Sequence, residues 1–161
     1  WGEAGPLRNG KGSCYEAGVR VPCIVRWPGK VTAGIDSAAI FSTLDFLPTF
    51  AHLAGFQVPK DRVIDGVNQT DLLLGTKAQG NRQTFVYRNN GVRKGKWKSL
   101  KAEHYVYNYA RDTKRKKVEE LYNLETDIGE SKNLAAENPE VVAELKKLPV
   151  DITAGTYRPS N

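Results

Sequence analysis

"GPLRNGKGSCYEAGVRVPCIVRWPGK", Gly5 to Lys30, sets two patterns side by side. Gly5, Gly10, Gly12 and Gly18 fall ahead of a mostly apolar run, Pro22–Trp27, which the pair Pro28-Gly29 closes. A short apolar run ended by Pro-Gly predicts a buried strand and a turn. Cys23 lies inside that run, where a thiol packs as a small hydrophobe. The preceding loop has a different chemistry. Gly10, Gly12 and Gly18 permit positive φ and close backbone approach, and between the first two Lys11 can extend a compact ammonium with three donors. Glu16 and Arg20 lie four apart and can pair to brace the loop. Such a loop suits a tetrahedral oxyanion or a tight structural turn. It is not a phosphate loop of the G-x-x-x-x-G-K-[ST] kind, which does not occur here.

Downstream, "TLDFLPTFAHLAG" spaces Phe46, Leu47, Phe50, Leu53 and Ala54 on a helical period, with Asp45 as the expected N-cap, Pro48 in the first turn and Gly55 as the stop. His52 inside it has no second ligand nearby and reads as a partly buried packing residue. From Gln57 to Asn81 the text is loop-like, with a turn expected at Asp65-Gly66 and at most one short helix. The period then changes. "TFVYR", "VRK", "KWKSLK", "HYVYNYA" and "VEELYNL" are β-rich and separated by "NNG", "KG" and "RDTKRKK", a succession of hairpins. Asn138 as N-cap, Pro139 at N1 and lysines in the last turn predict a helix to Leu148, with Val141, Val142, Leu145 and Leu148 on its buried face. From Pro149 the tail reads as disordered or as an appendage foreign to the domain. The fold expected is α/β: a strand and helix, a long loop, then an antiparallel sheet of about four strands packed by a C-terminal helix.

The 161 residues are 40% hydrophobic and 26% charged, ordinary for a globular domain with a core. No apolar run approaches the ~18 residues that span a bilayer, so no membrane partner is expected. The formal net charge of +6 raises a nucleic-acid reading. Its excess sits in "RKGKWKSLK" and "RDTKRKK", both broken by turn or acidic residues, with no helix-turn-helix, zinc or RNA-binding signature beside them. Solvated hairpin faces account for it, and no nucleic-acid partner is expected. Cys14 and Cys23 form no C-x-x-C, and two distant histidines supply no zinc site, so no metal is assigned and two free thiols are expected. The sequence contains no methionine and opens on Trp1 ahead of a Gly-rich loop, without a basic or apolar leader. A fragment of a longer protein is expected.

The loop resembles a signature region of the type I sulfatases, G-P-L-R-x-G-K-G-x-x-x-E-G-G-x-R-x-P followed by a strand and W-P-G. "STLDFLPTFAHLAG" is similar to that family's D-L-x-P-T-L-x-x-L-A-G helix, and "IDGVNQTDLLLG" to its D-G-x-S-L-x-P-x-L-x-G segment. "GVRKGKWKSL" resembles A-V-R-x-G-x-W-K-L, and "EELYNLETDIGESKNL" resembles E-L-Y-D-L-x-x-D-P-x-E-x-x-N-L. The order is kept along nearly the whole chain. The resemblance implies the C-terminal part of an alkaline-phosphatase-like sulfatase fold, divided as residues 1–56 (end of the large α/β domain), 57–83 (connecting loop), 84–150 (antiparallel-sheet subdomain with helix) and 151–161 (tail).

The resemblance also implies roles. Lys11 matches the lysine that contacts the sulfate group, and Glu16 and Arg20 match loop-bracing positions. Arg88, Asn89 and Asn90 lie in the "YRNNG" turn, where the family often lines the organic side of its pocket; an ordinary hairpin turn is the competing reading. The substrate implied is a sulfate ester. The family's formylglycine comes from a C/S-x-P-x-R motif, and neither cysteine fits: Ile24, Val25 and Arg26 follow Cys23, while Tyr15 and Glu16 follow Cys14. Its calcium ligands are mostly aspartates upstream of this region, and no acidic cluster here replaces them. Calcium and formylglycine are therefore implied for a full-length parent, and the chain alone is expected to be inactive. A periplasmic or secreted location is likewise implied. A non-catalytic sulfatase-like binding or structural module, or part of a related phosphate or phosphonate ester hydrolase, are the alternatives. In isolation the strand around Ile24 and the helix near Asp45 would lose their native partners, exposing their apolar faces or burying them in a homo-oligomer.

Overall fold

The computed structural model describes residues 3–87, 91–101, 105–106, 114–115 and 118–153. The chain forms two compact units: one joins the opening loop, up to Pro22, to everything described from Thr84 onward, and the other is Cys23–Gln83.

The first unit is built on a four-stranded antiparallel sheet in the order β1 (Thr84–Val86), β2 (Gly91–Lys94), β3 (Trp97–Leu100) and β6 (Glu120–Asn123). Two-residue strands β4 (Tyr105–Val106) and β5 (Lys114–Arg115) pair with each other separately. Gly95-Lys96 closes the β2–β3 hairpin, with Gly91 opposite Leu100 and Lys94 opposite Trp97. β3 and β6 pair from Trp97 opposite Asn123 to Leu100 opposite Glu120. Since side chains alternate along a strand, this register sorts the sheet into two unlike faces.

One face carries Val92, Trp97 and Leu121 and meets α4 (Pro139–Thr153) through Val142 and Leu145, with Val141 and Leu148 at the margin. Glu140, Glu144 and Lys147 point to solvent. This is the sheet and covering helix that the sequence predicts. The helix continues through Pro149 to Thr153, where the sequence reading ended it at Leu148; a proline removes one N–H donor without forbidding the next turn. Asn138 opens it through its carbonyl, which accepts from Val142 N–H at 3.3 Å, while its side-chain Nδ2 donates back to the Leu134 carbonyl.

The opposite face carries Lys98, Leu100, Glu120 and Tyr122. The opening loop and the single-turn helix α1 (Glu16–Val19) lie over it, Tyr15 packing with Leu100, Tyr122 and Leu124. The sheet is therefore clad on both sides, by an amphipathic helix and by a glycine-rich polar loop.

The second unit contains a 3₁₀ turn (Thr43–Asp45), α2 (Phe46–Leu53) and α3 (Thr70–Leu74). Several local expectations are corrected here. Pro22–Trp27 forms no strand, Cys23 is exposed and Ile24 is 92% exposed. A strand needs a partner for its backbone groups, and no described segment supplies one. Lys30 N–H does bond the Trp27 carbonyl at 3.0 Å, so the Pro28-Gly29 turn forms. The helical entry is capped by Ser42, not Asp45: Ser42 Oγ accepts from Leu44 N–H while Asp45 Oδ2 accepts from Ser42 N–H, a capping box. His52 is exposed. No turn forms at Asp65-Gly66; a Cβ on Gly66 would lie 2.1 Å from the Leu44 carbonyl oxygen, so glycine is required there by close packing.

Asp45 is instead the bolt of this unit. Its buried carboxylate accepts from Val67 N–H at 2.9 Å and from Arg82, whose Nη2 donates at 2.6 Å and whose Nε donates at 2.9 Å. Arg82 Nη2 also reaches the Asp65 carbonyl at 2.7 Å. Buried Gln69 adds a second tie, accepting from Asn81 N–H and donating to the Ile40 carbonyl. Beside these, Ile24, Trp27, Phe46, Phe50 and Leu73 line an open apolar groove of about 490 Å³.

Candidate functional site

Lys11 stands at the tip of a tight turn in the first unit. The turn closes where Gly10 carbonyl accepts from Ser13 twice, from N–H at 3.2 Å and from Oγ at 2.9 Å. Gly12 takes φ +93°, a conformation side chains rarely adopt, so the turn after Lys11 needs glycine. The Lys11 ammonium is exposed and makes no ion pair or hydrogen bond among the described residues. The backbone N–H groups of Lys11 and Gly12 are likewise unused among them.

The base of the turn is fixed by contact with α1. A Cβ on Gly18 would lie 2.2 Å from Ser13 carbonyl oxygen, 2.5 Å from Ser13 Oγ and 2.7 Å from Gly10 carbonyl oxygen. The helical turn thus presses its backbone directly against both ends of the Lys11 turn. Ala17 N–H donates to the Arg8 carbonyl at 3.2 Å, tying the loop's two arms together.

α1 is fixed in its turn by charge. Glu16 is fully buried, and its Oε1 receives Lys98 Nζ at 2.8 Å. Lys98 Nζ lies equally close, 2.8 Å, to Glu130 Oε1, and is itself fully buried. Glu130 Oε2 accepts from Glu16 N–H at 2.6 Å, which caps the start of α1 with a carboxylate. The Lys98 ammonium also sits 4.9 Å from the Tyr87 ring centre. Arg20, the partner expected for Glu16 four residues on, approaches Oε2 at 3.6 Å and is 47% exposed. Arg93 stands 4.0 Å from the same oxygen. Burial pushes the Glu130 carboxyl above its ordinary range, against the pull of Lys98.

A second bundle of polar contacts holds the start of the loop. Arg8 lies 4.1 Å over the Tyr15 ring, and its Nη1 donates to Tyr122 Oη at 2.8 Å and to the Glu130 carbonyl at 2.6 Å. Tyr15 Oη donates to Glu120 Oε2 at 2.7 Å. Burial and the Glu120 carboxylate raise the Tyr15 hydroxyl pKa far above the usual phenol range, so it stays a donor at any working pH.

The structure thus places Lys11, Glu16 and Arg20 on one loop and brings Glu16 and Arg20 within ion-pair range. Arg88, Asn89 and Asn90 lie outside the described residues. Sequence reasoning missed Lys98, Glu130 and Arg8. The one available signal was a lysine between Trp97 and Ser99 in a strand, on the face opposite the α4-facing residues. Neither cysteine stands in a formylglycine motif, and among the described residues no three His, Cys, Asp or Glu side chains converge as a metal site. Among the described residues, neither implied group finds side chains that fit it. Among the described residues no helix is long and apolar enough to cross a membrane.

Comparison with known proteins gives concordant matches. The sequence model of the family described as N-sulphoglucosamine sulphohydrolase, C-terminal, matches residues 9–153. An N-acetylgalactosamine-6-O-sulfatase of Bacteroides thetaiotaomicron is 36% identical over 151 residues, covering 89% of this chain and 29% of that protein. Human arylsulfatase A is 35% identical over 169 residues, covering 91% of this chain and 33% of that protein. A structure solved in work on the metabolism of multiple glycosaminoglycans by Bacteroides thetaiotaomicron superimposes with a TM-score of 0.81 at 33% identity, over 93% of this chain and 32% of that one. The chain therefore spans about a third of the length of the relatives it matches.

Proposed function

From the premise that this chain belongs to the sulfatase family, as its C-terminal portion, we propose that it completes the active site of a longer sulfate-ester hydrolase by supplying Lys11. The reaction consumes one water and one sulfate ester and yields an alcohol, a sulfate ion and a proton. The observation that carries the reading is the exposed Lys11 ammonium, without a partner among the described residues, at the tip of a turn closed by Ser13–Gly10 hydrogen bonds and packed against Gly18. A positive charge fixed in this way neutralises sulfate oxygens and stabilises the charge that builds on them in the transition state. It needs no reorganisation to do so. Glu16 and Arg20 brace the loop. Arg88, Asn89 and Asn90, which follow β1 in sequence, contact the organic part of the ester.

The nucleophile and calcium site belong, in this reading, to the remainder of the longer protein. Residues 1–56 close the large catalytic domain, 57–83 connect, and 84–150 form the C-terminal subdomain. The protein works in the periplasm or outside the cell on a sulfate ester, without nucleic-acid or membrane partners.

The test is Lys11→Ala in the longer protein. It should lower kcat/KM by roughly 10²-fold, about 2.7 kcal/mol, with little change in thermal stability, since an exposed loop lysine contributes little packing. Near wild-type turnover of an aryl sulfate by that variant would remove the assignment. The 161-residue chain alone should turn over no aryl sulfate above a buffer blank.

A further inference from the structure

We propose that the buried Glu16–Lys98–Glu130 cluster is the positioning device for Lys11, so that Lys98, a residue of the C-terminal sheet, sets catalytic rate without touching substrate. The inference rests on the reading of Lys11 as the sulfate-binding group. Three contacts form a continuous mechanical path. Lys98, in the middle of β3, holds Glu16 at 2.8 Å and Glu130 at 2.8 Å. Glu130 in turn receives the first N–H of α1, from Glu16, at 2.6 Å. α1 then presses Gly18 against Ser13 and Gly10, the two ends of the Lys11 turn, with no room for even a Cβ.

Each step is stiff for a stated reason. The ion pairs are buried, so water and salt screen them little, unlike the half-exposed Arg20–Glu16 contact at 3.6 Å. The last step is backbone against backbone and cannot adjust by rotating a side chain. Glu16 Oε2 is buried and accepts no hydrogen bond, with Arg20 at 3.6 Å and Arg93 at 4.0 Å facing it, while Glu130 Oε1 is buried against the Lys98 ammonium at 2.8 Å, so Lys98 is the charge the two carboxylates share. Weakening Lys98 therefore moves α1, and moving α1 moves the turn. Displacements of about 1 Å at a charge-stabilising group cost up to about 10²-fold in rate.

The experiment is a double-mutant cycle in the longer protein, read on kcat and KM for an aryl sulfate, with the folded fraction of each variant fixed by thermal melting. Lys98→Met is combined with Glu130→Gln, which leaves one carboxylate in the cluster, faced by Arg20 and Arg93. That pair of changes should lower kcat about tenfold in the Lys11 background and less than about twofold in the Lys11→Ala background, because a misplaced ammonium that is absent has nothing left to lose. A purely structural role would lower kcat by the same factor in both backgrounds, and that result would overturn the inference while leaving Lys11's role intact. If Lys11→Ala alone were without effect, the proposed function and this inference would fall together. Should the Lys98 variant not fold, Glu16→Gln supplies the same cycle: it keeps the shape and an oxygen for Lys98, and Glu130 remains to balance the ammonium. About a threefold loss confined to the Lys11 background is expected there, and equal losses in both backgrounds would overturn the inference.

Discussion

The two units of the chain solve opposite halves of the folding problem. The first buries its apolar side chains on both faces of a sheet, Leu100 and Leu121 completely, and turns its charges inward only where they pair. The second is held by polar bolts, Asp45–Arg82 and the Gln69 hydrogen bonds, while Ile24, Phe50, Phe56 and Val63 stand more than half exposed. No buried hydrophobic cluster is found in it among the described residues. Hydrophobic burial is the main stabilising term of a fold, so the first unit is self-sufficient in a way the second is not. The Asp45–Arg82 pair and the Gln69 hydrogen bonds hold its backbone in shape without a covered apolar core.

Removing a bolt should show the difference most sharply. Arg82→Ala leaves the Asp45 carboxylate buried with only the N–H donors of Ser42 and Val67, a loss of about 3–5 kcal/mol for a broken buried pair. Amide exchange at Val67 and Leu73 should accelerate by several orders of magnitude, while Leu121 changes little. If Leu121 lost as much protection, the units would unfold as one and the contrast would not hold. The matching change in the first unit is Leu145→Ala, which empties the α4 contact with Val92 and Leu121 and should cost about 2–5 kcal/mol. Urea melts of the two variants, followed by exchange at the same amides, should give mirror-image patterns.

How much of this was legible in the sequence depends on the range of each interaction. Val141, Val142, Leu145 and Leu148 declare one helix face by spacing alone, and the Lys-Gly pair at 94–95 declares a hairpin, because each pattern is complete within a few residues. Pro22–Trp27 reads as a strand and is none, since pairing is a property of a neighbour and not of the segment. Asp45 reads as a helix cap because its local surroundings allow it, yet its partners Val67 and Arg82 come 22 and 37 residues later. Lys98 was missed for the same reason: its partner Glu16 is 82 residues away, and a strand lysine ordinarily faces water. The family motif marked Lys11 without saying what fixes it.

A smaller effect tests whether the first unit's rigidity reaches its loop. In Gly18→Ala the new methyl meets the Ser13 and Gly10 carbonyl oxygens at 2.2 and 2.7 Å and Ser13 Oγ at 2.5 Å, and the two backbone oxygens cannot swing aside; overpacking of this kind costs about 1–3 kcal/mol. The loss should fall on the opening loop: exchange at Ser13 and Ala17 should rise while the α4 amides keep their protection. In the longer protein turnover should drop along with it. Unchanged exchange at Ser13 would mean that the loop accommodates the methyl, and its packing would then not explain how Lys11 is held.

The smallest expected effect concerns pH, and its sign differs between the units. Glu130 in the first unit has its carboxyl pKa raised from the ordinary 4.5, because burial outweighs the attraction of Lys98. A raised carboxyl binds its proton more tightly when folded, so its contribution is complete below about pH 4.5 and is lost as pH rises through the folded value. Asp71 in the second unit has its pKa lowered from 3.8 by the hydrogen bond from Lys77. Its contribution is complete above 3.8 and is lost as pH falls through the depressed value. Lying at the surface, with its side chains 62% and 45% exposed, that pair should also weaken with added salt, whereas the Glu130 effect should persist. Replacing Glu130 with Gln removes the first titration: relative to the parent, the variant should gain stability in the first unit as pH rises above the ordinary carboxyl value of 4.5. Asp71→Asn should lose, relative to the parent, only as pH is raised from below 3.8, and only in the second unit. Stability–pH curves read from exchange at Leu121 and Leu73 separate the two. A Glu130→Gln curve parallel to the parent's at Leu121 would mean that the cluster around Lys98 compensates its carboxylates fully, and that burial imposes no titration on the sheet.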